Sequence, residues 1–187
     1  MRITDGGECH TWSGEQFVGK AEMTRFYSDV ASPVGPLRIV ASDAGLVAIL
    51  WEDDDPARVR LGELHANPAH PVLRAVEAQL SEYFAGTRRS FDVALDLQGT
   101  AFQKKVWTAL LTIPFGETRS YAAIARQIGQ PGASRAVGAA IGRNPVSVIV
   151  ACHRAVGSDG SLTGFAGGLD NKRFLLGLEG GQGRLVA

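Results

Sequence analysis

The stretch Arg135–Arg154, RAVGAAIGRNPVSVIVACHR, constrains this chain more than any other. It opens as a helix of small residues, with Ala133, Ala136, Gly138, Ala139 and Ala140 around Arg135. A helix with so little side chain lets its backbone approach a narrow groove. Asn144-Pro145 ends it, because proline has no N–H to continue the ladder. Val146, Val148, Ile149 and Val150 follow as an apolar, β-branched run that predicts a buried strand. The strand is expected to stop at Cys152-His153-Arg154. One cation on a bare helix and one soft nucleophile thus lie close together in the chain.

Cys152 is where chemistry would begin. A free cysteine is by default a small buried hydrophobe, but this one ends an apolar run and adjoins His153. Sulfur attacks as thiolate, so its pKa is expected to fall under a nearby base or positive charge. Adjacent residues on a straight strand point to opposite faces. His153 therefore helps Cys152 only if the backbone turns there or a water bridges the two. A third group should fix the imidazole tautomer, and Glu179, ending a helix that is otherwise apolar on its inner side, is one candidate, although a glutamate at a helix end is usually just solvated. Tyr121 follows Ser120 at a helix start, where backbone N–H groups favour phosphate. Arg135 is suited to fill the space left by a base rotated out of a duplex, a motion that costs about a few kcal/mol.

Charge points the same way. Residues 1–100 carry 9 basic and 15 acidic side chains, and residues 101–187 carry 10 and 4, so a neutral chain conceals halves of −6 and +6. Between 101 and 145 only Glu117 opposes Lys104, Lys105, Arg119, Arg126, Arg135 and Arg143. Such a local surface suits a phosphate backbone. No apolar run is long enough to span a bilayer, and the first residues lack a signal's apolar core. Cys9 and Cys152 make no disulfide framework, which suggests a reducing cytoplasm. His10, His65, His70 and His153 are scattered without zinc spacing. No metal, no cofactor and no membrane partner are expected, and the chain is read as a monomer.

The rest of the chain divides near Asp92–Thr100. Residues 1–22 lack periodicity and read as a mobile extension. Arg25–Ala31, Leu37–Ala41 and Leu46–Trp51 read as strands separated by turn clusters. The acidic run Glu52–Asp55 reads as a solvated loop. Val72, Val76, Leu80 and Tyr83-Phe84 recur at helical spacing, with Gly86 as the stop. Phe91, Val93, Leu95 and Leu97 alternate as a strand or extended linker. Thr100-Ala-Phe-Gln103 has capping-box spacing for a helix to about Thr112. Helices over Ser120–Ile128 and Ala133–Gly142, joined by Gly129-Gln-Pro-Gly132, follow the helix-turn-helix pattern. Leu169–Leu178 reads as a closing helix with Phe174, Leu175 and Leu178 inward, and residues 180–187 as a fraying tail.

Taken in order, Gly116-Glu-Thr-Arg-Ser-Tyr121, Arg135-Ala-Val-Gly138, Asn144-Pro145, Cys152-His153-Arg154, Gly164-Phe-Ala-Gly-Gly168 and Leu175-Leu-Gly-Leu-Glu179 resemble the O6-alkylguanine-DNA alkyltransferases. The resemblance spans about residues 24–180, is strongest after Thr100, and is to the bacterial single-function type. It implies an α+β chain: an extension over 1–23, a ribonuclease-H-like α/β domain over 24–94, and a mainly helical, winged-helix-like domain with a helix-turn-helix over 95–187. It also implies roles. Cys152 is similar to the alkyl acceptor, His153 to its water-mediated activator, and Glu179 to the residue that orients His153. Asn144 resembles the hinge that ties the recognition helix to the active-site turn. Arg135 resembles the finger in the base stack, and Tyr121 the residue aiding extrusion, with Ala133, Ala136 and Gly138 beside the DNA. Cys152 and Ala155 would offer carbonyls to guanine, and Ile141 and Phe165, Ala166 and Gly167 would line the pocket. The implied partner is double-stranded DNA carrying O6-alkylguanine or O4-alkylthymine, repaired by stoichiometric, single-turnover transfer.

Two positions depart from the family pattern: Ala151 stands where proline is usual, and Ala155 where valine is usual. Proline would fix φ before the cysteine and lower unfolded-state entropy. Three rival readings fit parts of the sequence. Non-repairing relatives of the resembled family lack the reactive cysteine, whereas Cys152 is present; Ala151 and Ala155 keep a damage-binding reading without chemistry open. A helix-turn-helix regulator should carry long side chains for base edges in the major groove, and this helix is mostly alanine and glycine. A cysteine hydrolase should turn over, and no separate oxyanion motif is present.

Overall fold

A computed structural model describes residues 24–180 and 184–186. The expected extension, with Cys9, lies outside the described residues. The chain is α+β, with a sheet-based N-terminal part and a helical C-terminal part.

Strands β1 (Phe26–Val30), β2 (Leu37–Ser42) and β3 (Gly45–Trp51) form an antiparallel meander, and β4 (His65–Ala66) pairs parallel to β1, giving the order β3-β2-β1-β4. The period of two sorts side chains to the two faces. Leu37, Ile39 and Ala41 join Leu73, Val76 and Leu80 of helix α1 (Pro71–Phe84) in the main core, whereas Val40, Val47 and Ala48 pack under Leu61 on the other side. Gly45, at φ +150°, lets the linker lie against this sheet: a Cβ there would sit 2.5 Å from the Ala94 carbonyl oxygen. The linker is held by Leu46 N–H to Ala94 O and Asp96 N–H to Leu46 O, both 2.8 Å. Phe91–Leu97 is therefore extended, with one bridge at Leu95.

Thr100 caps helix α2 (Ala101–Leu111) through a reciprocal box with Gln103, as its spacing predicts. Strand β5 (Glu117–Ser120) leads directly into α3 (Tyr121–Gln127), where Ser120 Oγ accepts from Ala123 N–H at 3.1 Å. After a turn, α4 (Ser134–Gly142) presses Val137, Ala140 and Ile141 inward against α2 and α3. Trp107 Nε1–H donates to the Ala140 carbonyl at 2.9 Å and locks α2 to α4. A two-residue β6 (Ala155–Val156) and β7 (Arg184–Val186) flank β5, both parallel to it, and α5 (Gly168–Leu178) closes the fold.

Four expectations need correction. Residues 146–150 form no strand: Val146 makes one isolated bridge to Ile49, and the rest is a buried turn. The acidic run is not wholly solvated, because Asp54 is buried in an ion pair with Arg58. Residues 184–186 pair with β5 as a strand instead of fraying. Phe174 faces outward at 41% exposure, while Leu175 and Leu176 turn in.

Candidate active site

The buried turn after α4 organises the site. Asn144 has a short amide that substitutes for strand pairing: Oδ1 accepts from Val146 N–H at 3.1 Å, and Nδ2 donates to the Val150 carbonyl at 2.8 Å. Satisfying backbone groups through a side chain is what lets a β-branched run leave the sheet. Val148 consequently adopts φ +70°, the one positive φ among described residues other than glycine. A β-branched residue there stores strain of about 1–3 kcal/mol. The N-terminal part braces this turn. Ile49 N–H donates to Pro145 O at 2.9 Å, Trp51 Nε1–H to Ser147 Oγ at 3.2 Å, and the Arg58 guanidinium, anchored on Asp54, to the Asn144 carbonyl.

The chain leaves the turn as a single 3₁₀ turn, Cys152–Arg154, with all three side chains buried. This is the backbone turn that the adjacency of Cys152 and His153 requires. His153 is fully buried, and its Nε2 lies 2.8 Å from Glu179 Oε1. Glu179, at the C-terminal end of α5, also accepts from Tyr83 Oη–H at 2.7 Å, from Arg154 Nε–H and Nη2–H at 2.8 and 2.9 Å, and from Gly116 N–H at 3.2 Å. Burial alone would raise the Glu179 carboxyl. Hydrogen bonds from His153 and Arg154, with the charge of Arg154, overcome it and hold the group well below the usual carboxylate range. Burial lowers the His153 pKa against the pull of Glu179, so the imidazole is neutral near pH 7. With Nε2–H given to the carboxylate, Nδ1 carries the lone pair. Nδ1 is buried and makes no hydrogen bond within the described residues.

The thiol departs from expectation. Cys152 is 4% exposed, and burial raises its pKa instead of lowering it. The Asn144 hydrogen bond and the charges of Arg58 and Lys172 act in the opposite direction. Lys172 is fully buried on α5. Its Nζ donates to the Ala155 carbonyl at 2.6 Å and the Thr163 carbonyl at 2.9 Å, and burial brings its pKa down to about 8. The two carbonyls expected to face guanine are thus already engaged, since Cys152 O accepts from Ala155 N–H and Ala155 O from Lys172. Each keeps a second lone pair.

Outside this buried cluster lies a cleft of about 670 Å³ walled by Tyr121, Arg135, Gly138, Gly142, Phe165 and Ala166 among others, with no carboxylate in its lining. Tyr121 accepts from Thr163 Oγ1–H at 2.9 Å. Burial raises the Tyr121 hydroxyl pKa and Cys152 adds to the rise, so it stays protonated and feels the sulfur. Phe165 meets Trp51 edge-on at 5.4 Å, and a Cβ on Gly167 would strike the same indole at 2.5 Å. Arg135 and Ala136 are exposed on α4, Gly138 is half-buried on it, and Ala133, half-buried, is the residue just before it. Ile141 is instead a core residue of that helix, turned inward and absent from the cleft wall. The sequence reading missed Arg58, Trp51, Tyr83, Arg154 and Lys172. All but Arg154 come from segments distant from the cysteine. Among the described residues there is no cluster of three or more histidine, cysteine or acidic side chains fit for a metal, and no helix long and apolar enough to cross a membrane.

Two family models match the chain: the ribonuclease-like domain of 6-O-methylguanine DNA methyltransferase over residues 25–97, and its DNA binding domain over residues 101–181. The methylated-DNA–protein-cysteine methyltransferase of Mycobacterium tuberculosis (strain H37Rv) is 49% identical over 155 residues, covering 82% of this chain and 91% of that protein. The protein of that name from Methanosarcina acetivorans is 46% identical over 155 residues, covering 83% and 98%. The crystal structure of Mycobacterium tuberculosis OGT in complex with DNA aligns with a TM-score of 0.77 at 47% identity, covering 82% of this chain and 92% of that one.

Proposed function

Because this chain belongs to the 6-O-methylguanine DNA methyltransferase family, and is thus a DNA-repair methyltransferase, we propose that Cys152 itself takes the alkyl group from O6-alkylguanine in duplex DNA, once per molecule. The observation that carries this reading is the 2.8 Å His153–Glu179 pair beneath the turn that begins with Cys152, beside a cleft walled by Tyr121 and Arg135.

The α3–α4 pair acts as a helix-turn-helix whose bare second helix enters the minor groove. Ala133, Ala136 and Gly138 let its backbone approach, and Arg135 occupies the stack after the lesion rotates out. Tyr121 aids that rotation, and Phe165 and Ala166 receive the base. The thiol is not a standing anion. Cys152 loses its proton through a bridging water toward His153 Nδ1 as sulfur attacks, while Glu179 holds the tautomer. The S–C bond forms as the C–O6 bond breaks. The electron pair stays on guanine, which takes a proton from Tyr121 or another cleft donor. Lys172 and Arg58 lower the cost of charge on sulfur, and Asn144 keeps the turn and α4 in register. The product is a thioether, which thiol exchange does not reverse, so each molecule acts once. O4-alkylthymine is a second substrate by the same displacement. The chain works as a cytoplasmic monomer, with residues 24–94 supporting and residues 95–187 carrying the reaction.

The test is a titration of protein into duplex bearing one labelled O6-methylguanine. The expected result is label on protein in one-to-one proportion, lost in Cys152→Ala with duplex binding kept. Repeated turnover would indicate a hydrolase, binding without transfer a damage sensor, and indifference to damage a regulator; each result would overturn the proposal.

A further inference from the structure

A second cleft, of about 290 Å³, lies where the N-terminal part meets the end of α4, lined by Arg25, Arg58, Arg60 and Arg143 with Gln98, Gln103, Trp107 and Pro145 among others. Four guanidinium-bearing residues and no carboxylate line it. Arg58 is ion-paired with Asp54, and Arg25 donates one Nη–H to the Leu61 carbonyl. Arg25 Nε is nevertheless buried with no hydrogen-bond partner among the described residues, and the exposed Arg60 and Arg143 make no ion pair among them. Like charges gathered around a concavity repel one another unless an anion sits between them. Guanidinium forks match the oxygen geometry of phosphate.

We propose that this cleft binds a backbone phosphodiester of the same duplex whose lesion enters the other cleft, so that the protein grips DNA at both ends of α4. Both clefts reach the C-terminal end of that helix: Gly142 lines the lesion-side cleft, and Arg143, the next residue, lines the arginine cleft. Arg135 and Arg143 are separated by about 12 Å of helix at 1.5 Å per residue. A duplex presents one phosphate per strand about every 3.4 Å along its axis, so a span of a few base pairs reaches both. The role is positional, since backbone contacts orient a duplex without reading its sequence.

The inference rests on the chain binding duplex DNA, and its test separates the two. Duplex affinity is measured against salt concentration for the unaltered chain and for Arg60→Gln/Arg143→Gln. The double variant should weaken damaged and undamaged duplexes alike and reduce the slope of log K on log salt by about 1, near 0.9 for the one lost phosphate contact. Transfer at saturating DNA should be unchanged, and so should the thermal melt. An unchanged slope would overturn the inference. So would stabilisation of the unaltered chain by inorganic pyrophosphate, abolished by the substitutions while the slope stays, which would mark a small-anion site. Failure of the unaltered chain to bind duplex at all would instead remove the premise of DNA binding.

Discussion

The buried cluster under the 3₁₀ turn and the outer face of α4 are built by opposite means. In the cluster, one carboxylate, Glu179, takes five hydrogen bonds from Tyr83, Gly116, His153 and Arg154. On α4, Arg135 projects from a face of alanine and glycine and makes no ion pair or side-chain hydrogen bond among the described residues. Low dielectric makes each polar contact in the first region strong and each unmet group costly. The second region owes its shape to missing side chains, so it costs the fold little and is free for a partner. On the proposed function, reactivity would be preorganised in the interior, while binding would be left to a surface that a DNA groove completes.

Substitutions that touch one region alone should break this division in graded ways. The largest effect is expected for Glu179→Gln. It leaves Arg154 buried without its counter-charge and frees the His153 ring, so stability should fall by about 3 kcal/mol and transfer by about 100-fold or more, read by urea unfolding and single-turnover assay. The carboxyl is depressed in the folded chain, so the unfolded chain binds more protons as pH falls, and stability declines below the usual carboxylate pKa. Glu179→Gln should remove that part of the acid sensitivity.

Lys172→Gln tests the cation under the thiol. Transfer near pH 7 should slow by about tenfold, since one pKa unit on sulfur corresponds to about 1.4 kcal/mol. The folded lysine titrates at about 8 and the free one at 10.5, so between those values the unfolded chain holds the extra proton. Stability from this group therefore rises with pH across that window, and unfolding curves of the variant should lack the rise.

Arg135→Ala belongs to the other region. Duplex affinity should drop about tenfold while stability moves by less than about 0.5 kcal/mol. The smallest effect is expected from Gly138→Ala. A Cβ there would lie 3.9 Å from the Tyr121 ring, an ordinary contact, so the free protein should gain about 0.5–1 kcal/mol from losing a mid-helix glycine. A modest loss of duplex affinity in the same variant would show that α4 is bare for its partner's sake.

Local signals in the sequence survive folding, and distant ones do not. Thr100 with Gln103, and Ser120 before α3, mark helix starts because capping is decided within four residues. The first three strands lie between the turn clusters that separate them in the sequence. The run Val146–Val150 misleads because β-branching reads as strand, while the Asn144 amide takes the backbone bonds a strand would use and Val148 accepts a positive φ. Cys152, His153 and Glu179 stand out by residue type and context. Tyr83 does not, because its helical spacing describes a core face equally well, and only the fold brings its hydroxyl to Glu179. Arg58 follows an acidic run that looks solvated, and Lys172 sits between Asn171 and Arg173 like any surface charge. Burying them is a tertiary event that no local pattern announces.

The division between a finished interior and an unfinished surface is tested most directly by offering O6-methylguanine as the free base, with no duplex to grip. Slow alkylation of Cys152 is predicted, at a rate unaffected by Arg135→Ala or Gly138→Ala and greatly reduced by Glu179→Gln. A free-base rate that falls with Arg135→Ala as far as the rate on DNA does would contradict the account.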